Sequence, residues 1–110
     1  MEVNGENEAA PWRRLDRQQY GRVLLQVDRI LWEDWDPIGV NDEPAAFDEY
    51  TTYAPGVIRL LMQGADVRRI SEYLADIERE RMGLVCPPER RLTAARKLER
   101  VLLEGADART

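Results

Sequence analysis

Apolar residues recur at steps of three and four along most of this chain, and no stretch alternates in the manner of a strand, so a shared core here has to be built by packing helices. The first stripe is Tyr20, Val23, Leu24, Val27, Ile30 and Leu31. Ahead of it, Asp16 and Gln19 have the spacing of a capping box, and Leu15 and Tyr20 the spacing of a hydrophobic staple. This helix is predicted to run to about Glu33. Gly21 within it costs roughly 1 kcal/mol relative to Ala, which packing must offset.

Prolines and glycines divide the rest of the chain. The run from Trp35 to Pro44 holds two prolines and a glycine, and Pro37 disfavours helical geometry at Asp36, so a structured loop is predicted. Tyr50, Tyr53, Val57, Leu60 and Leu61 resume the helical step, and their phase persists across Pro55, which predicts one kinked helix. Gly64 fits a C′ position and Asp66 an N-cap, giving a tight connection into a third helix. Its stripe is Val67, Ile70, Leu74 and Ile77, with Gly83 as its terminator and Glu72, Asp76, Arg79 and Glu80 on the wet side. Pro88 suits the first turn of a fourth helix lined by Leu92, Ala95, Leu98, Val101 and Leu102 and ending at Gly105. The fold class is therefore all-α, a compact bundle or orthogonal array of about four amphipathic helices with an acidic loop between the first and second. Residues 12–105 form the single domain, between a disordered tail at 1–11 and a frayed end at 106–110.

With no His and only Cys86, the chain lacks His-based triads, His metal ligands, a disulfide framework and multi-cysteine zinc sites. The first eleven residues hold three acids and no base, unlike a signal or transit peptide, and no apolar stretch approaches the length of a membrane span. The expectation is a cytoplasmic bacterial protein with a free thiol and no membrane association.

Charge is divided sharply along the chain. Residues 1–29 carry five bases and five acids, residues 30–58 none and seven, and residues 59–110 eleven and nine. Glu33, Asp34, Asp36, Asp42, Glu43, Asp48 and Glu49 thus lie between Arg29 and Arg59 without an intervening base.

As a metal site this block fails the EF-hand test: with Asp34 as position one, Ile38 replaces the fifth-position ligand and Ala45 the terminal Glu. Asp36 and Asp42 suit Asx turns that bond backbone amides instead. Adjacent carboxylates such as Asp48 and Glu49 point in different directions on a helix, and no nucleophile or oxyanion device accompanies them. Cys86, without a His or a resolving Cys, reads as a small apolar residue. No catalytic residue, metal ligand or cofactor is expected. On the fourth helix Arg90, Arg91, Arg96, Lys97 and Arg100 outnumber Glu89 and Glu99, but the acidic middle would repel phosphate. A solvated face, or an intramolecular partner for the acidic block, explains those bases better than nucleic acid does.

Protein binding has the better sequence case. Trp32 lies about 140° around the first helix from Val27, and Trp35 opens the acidic loop. Large aromatics among carboxylates can anchor a basic partner, with charge speeding encounter and aromatic area supplying affinity. The alternative is that Trp32 and Trp35 only cover the end of the bundle.

WDPIGV at Trp35–Val40, DEY at Asp48–Tyr50, Tyr53, the pair Leu60 and Leu61, Gly64 with Ala65, and IERERMGL at Ile77–Leu84 together resemble a widespread family of small, largely uncharacterised bacterial helical proteins. The likeness covers residues 20–85. It implies an all-helical fold, no established catalytic residues, and an expected association with toxin systems in which small acidic proteins serve as immunity factors. The expectation is accordingly a non-enzymatic, immunity-like protein masking a basic surface, through Trp32, Glu33, Asp34, Trp35, Asp36, Asp42, Glu43 and Asp48. Rival expectations are a homo-oligomer pairing the acidic block with the fourth helix of another copy, and a metal-dependent enzyme using the loop carboxylates.

Overall fold

A computed structural model describes residues 15–108, with side chains through Leu102. The tail expected at 1–11 lies outside the described residues. The chain is an all-α bundle: α1 spans Arg17–Ile30, α2 Ala54–Met62, α3 Val67–Asp76 and α4 Pro88–Ala108. No strand occurs among the described residues.

The capping box at α1 forms as its sequence dictates. The Gln19 amide donates to Asp16 Oδ1 at 2.7 Å and the Asp16 amide to Gln19 Oε1 at 2.9 Å, satisfying two amides that a helix start leaves without partners. Leu15 and Tyr20 both pack against the core. The helical path continues past Glu33 through a π-turn at Leu31–Trp35, closed by the Asp36 amide on the Leu31 carbonyl at 3.0 Å. Asp36 then stops it at φ 35°, ψ 59°, the left-handed region that Asp tolerates better than most residues.

Pro55 does not kink a long helix. The chain approaches through two short 3₁₀ segments, Pro44–Glu49 and Thr51–Tyr53, and Pro55 sits in the first turn of α2, where its missing amide costs nothing. The stripe keeps its phase because the 3₁₀ and α segments run on from each other, with Tyr50 and Ala54 both buried.

Gly64 takes φ 82° beyond α2, and Asp66 caps α3 through the Arg69 amide at 2.9 Å. Glu99 of α4 completes that cap by accepting the Val67 amide at 3.2 Å. α3 also ends in a π-turn, Ile77–Arg81, before Gly83 at φ 65°. α4 continues through Gly105 to Ala108 rather than ending at the glycine, which an α-helix admits at modest cost. It packs along α3 and against α1 with its π-turn, while α2 packs on α1. Val27, Leu31, Val57, Ile58, Ile70, Leu74 and Leu98 are fully buried at the centre.

Two helical glycines have opposite surroundings. A Cβ on Gly21 would meet nothing within 4 Å, whereas one on Gly56 would fall 1.9 Å from the Tyr73 hydroxyl and 2.8 Å from Cζ. Gly21→Ala should therefore stabilise the fold by about 1 kcal/mol. Gly56→Ala should destabilise it by about 1 kcal/mol or more, and the same change in a Tyr73→Ala background should turn neutral or stabilising. Urea denaturation of the four variants tests both, and a stabilising Gly56→Ala in the otherwise unaltered chain would refute the close approach.

Candidate functional site

The acidic segment folds around two polar centres, and both reach beyond the loop itself. The first is Asp36, only 3% exposed. Its Oδ1 accepts the Val40 amide at 2.8 Å and the Tyr50 hydroxyl at 2.7 Å, and its Oδ2 accepts the Asn41 amide at 3.3 Å. Tyr50 in turn accepts the Ile38 amide on its hydroxyl at 3.1 Å. One carboxylate thus fixes the turn after Pro37 and ties it to the 3₁₀ segment. The Asx-turn expectation is met at Asp36; Asp42 makes no side-chain hydrogen bond among the described residues.

The second centre joins the two π-turns. Trp35 Nε1 donates to Glu78 Oε2 at 2.7 Å, and Arg91 Nη1 donates to Glu78 Oε1 at 2.6 Å. Trp35 and Glu78 are both buried, so the ionised carboxylate is tolerable only because donors occupy both oxygens. Tilted ring contacts place Trp35 against Tyr50 at 5.4 Å and edge-on to Tyr53 at 6.1 Å. π-turns add a residue to a helical turn and re-aim its end. Here they bring an indole from the end of one helical path to a carboxylate at the end of another.

The bases of α4 serve this segment from within the chain. Lys97 pairs with Asp34 at 3.0 Å, Arg90 lies 3.8 Å from Asp36, and Arg90 Nε also donates to the Asp34 carbonyl at 3.4 Å. Together with Arg91 on Glu78, three of the five bases expected on that helix face neutralise buried or half-buried carboxylates.

The eight residues expected to form a partner surface therefore separate. Trp35 and Asp36, at 1% and 3% exposure, are interior supports of the loop and not surface groups. Asp34 is half-buried and ion-paired. Trp32 is half-buried, while Glu33, Asp42, Glu43 and Asp48 are exposed. Two residues missing from that set join the exposed side: Glu49, and Phe47, whose ring leans on Trp32 with centroids 5.3 Å apart and planes at 60°. Glu33, Asp42, Glu43, Asp48 and Glu49 make no ion pair among the described residues.

No group of three or more Cys, Asp or Glu is placed to hold a metal ion among the described residues. Burial, with a smaller contribution from the Glu78 charge, pushes the Cys86 thiol above its ordinary value, which keeps it from the reactive thiolate at neutral pH. No described helix is long and apolar enough to cross a membrane. No family model, curated protein or solved structure matches the chain.

Glu78 and Tyr50 are the functional supports that sequence reasoning missed. Glu78 stands four residues after Leu74, in the π-turn that follows α3, and a charge in that phase signals a buried ion pair. For Tyr50 the stripe placed the ring inside, but nothing local discloses that its hydroxyl meets a carboxylate fourteen residues earlier.

Burial first, and then the bond to Asp36, push the Tyr50 hydroxyl far above its ordinary value of 10.0. Above pH 10 the unfolded chain loses this proton while the folded chain keeps it, so stability present below that pH is lost as pH rises. The slope for this one group is about 1.4 kcal/mol per pH unit. Tyr50→Phe should flatten the alkaline fall in unfolding free energy by that amount between about pH 10 and 11.5, and an unchanged slope would show that Tyr50 ionises normally. Glu78→Ala should cost about 3 kcal/mol in urea denaturation at pH 7, by leaving the Trp35 and Arg91 donors without an acceptor; a loss below about 0.5 kcal/mol would remove this carboxylate from its bridging role.

Proposed function

We propose that the chain is a non-enzymatic protein-binding module that masks a basic surface on its partner, in the manner of an immunity factor. The observation that carries this reading is the division of the acidic segment. Asp34 and Asp36 are neutralised by α4, whereas Glu33, Asp42, Glu43, Asp48 and Glu49 stand exposed, make no ion pair among the described residues, and share their segment with the half-buried Trp32 and the exposed Phe47. Like charges held together in water repel, and a structure that neutralises the inner pair but leaves the outer five suits a cationic partner. Aromatic area among those carboxylates supplies contact that charge alone does not.

The toxin-associated role rests on the family resemblance of the WDPIGV and DEY residues, and the cytoplasmic setting on the free thiol. A homo-oligomer pairing this block with α4 of a second copy has less to draw on, because Arg90, Arg91 and Lys97 are engaged within the chain.

The test is capture by the tagged protein from a bacterial lysate at about 50 and 300 mM salt, a range over which exposed ion pairs are progressively screened as the Debye length shortens. A stoichiometric basic protein should be retained at low salt and released at high salt. It should be lost from the Asp42→Lys, Glu43→Lys, Asp48→Lys triple variant, whose melting temperature should stay within a few degrees of the unaltered chain because all three side chains are exposed. Retention insensitive to both salt and charge reversal would end the electrostatic reading.

A further inference from the structure

We infer that the ledge formed by Trp32 and Phe47 receives an arginine side chain from an arginine-bearing segment of the partner protein. The inference rests on the protein-binding reading above and specifies its chemistry.

Phe47 is 43% exposed, a large apolar ring left in water at a chain position where a polar residue would have served. It is nevertheless held in place. Trp32 contacts it at 5.3 Å, and Trp32 also meets Tyr50 at 6.1 Å, whose hydroxyl is fixed by the Asp36 carboxylate and the Ile38 amide. The ledge is therefore ordered before any partner arrives, and binding there forfeits little side-chain entropy.

Both rings belong to the acidic segment, in which Glu33, Asp42, Glu43, Asp48 and Glu49 are exposed and make no ion pair among the described residues. An apolar side chain seated here would leave the negative field of the segment unanswered. A nucleic acid would be repelled. A lysine ammonium would meet the charge, but it is compact and strongly hydrated and loses that hydration at an aromatic face. A guanidinium alone satisfies both features, because its weakly hydrated plane stacks on a ring while its charge answers the negative field of the segment.

The probes are two blocked nonapeptides of equal charge, one alternating arginine with alanine and one alternating lysine with alanine, together with an uncharged glutamine–alanine counterpart. Titration calorimetry at about 50 mM salt should give the arginine peptide about fivefold tighter binding than the lysine peptide. Phe47→Ala should bring the two to within about twofold of each other while leaving salt-sensitive binding in place. Asp48→Asn with Glu49→Gln should weaken both peptides in parallel. Each variant is first shown to keep its melting temperature, which these exposed positions permit. Equal affinity for the arginine and lysine peptides, both above the uncharged one, would overturn the ledge and leave the acidic surface standing. No binding of either beyond the uncharged peptide would overturn both readings together.

Discussion

A carboxylate buried at 3% exposure must find donors for both oxygens or be expelled, and Glu78 finds them on two different elements. Trp35 arrives from the end of the α1 path and Arg91 from the first turns of α4, each within 2.7 Å. Residues 43 and 13 positions away along the chain are thereby fixed to one point. The segment that follows leans on this closure as well as on Asp36, since the buried indole is also the surface on which Tyr50 and Tyr53 rest. Without a hydrogen-bond acceptor beneath it, an indole N–H at that depth would be a liability, and the path after α1 would have no fixed direction.

A segment carrying seven acids and no base cannot cohere by its own electrostatics. The chain resolves this in two ways. Asp36 is turned inward, where two backbone amides and a tyrosine hydroxyl stabilise the charge at close range, with Arg90 behind it. Asp34 is paired with Lys97 at the rim. Pairs this exposed on the basic side contribute little singly. Their consequence is geometric: they set α4 against the loop and leave the other five carboxylates in solvent. The basic face of α4, which in isolation suggests an anion-binding helix, is the counterweight that lets the acidic segment lie down.

Much of the architecture was legible because it is local. The capping box at Asp16 and Gln19, the N-cap at Asp66, the glycines at 64 and 83 and the four apolar stripes each depend on residues within a turn or two of one another. The misplacements share one cause. A stripe that keeps its phase across Pro55 looks the same whether the proline kinks one helix or opens a new one, and only the backbone bonding of residues 44–53 distinguishes them. Likewise, the angle of Trp32 holds for a regular helix, and the π-turn at Leu31–Trp35 adds a residue to the turn, carrying Trp35 into the core. Within the candidate site, exposure could not be read from composition. Asp34, Asp36 and Asp42 are chemically alike, and what separates them is where the fold brings their partners: the Tyr50 hydroxyl to Asp36 and Lys97 to Asp34.

That separation bears on why the acids are so concentrated. If they served only to fold the loop, Asp36 and Asp34 would suffice, since those two make every side-chain hydrogen bond and ion pair that the block's carboxylates form among the described residues. The remaining five add mutual repulsion, a cost in the compact state that nothing within the described fold recovers. Phe47 presents the same asymmetry in apolar form: its contact with Trp32 gives it a fixed position but leaves nearly half its surface in water. Two unrelated costs, one electrostatic and one hydrophobic, fall on the same short stretch of chain. The arginine-bearing partner proposed above would relieve both at once, because it brings positive charge and a flat, poorly hydrated face together.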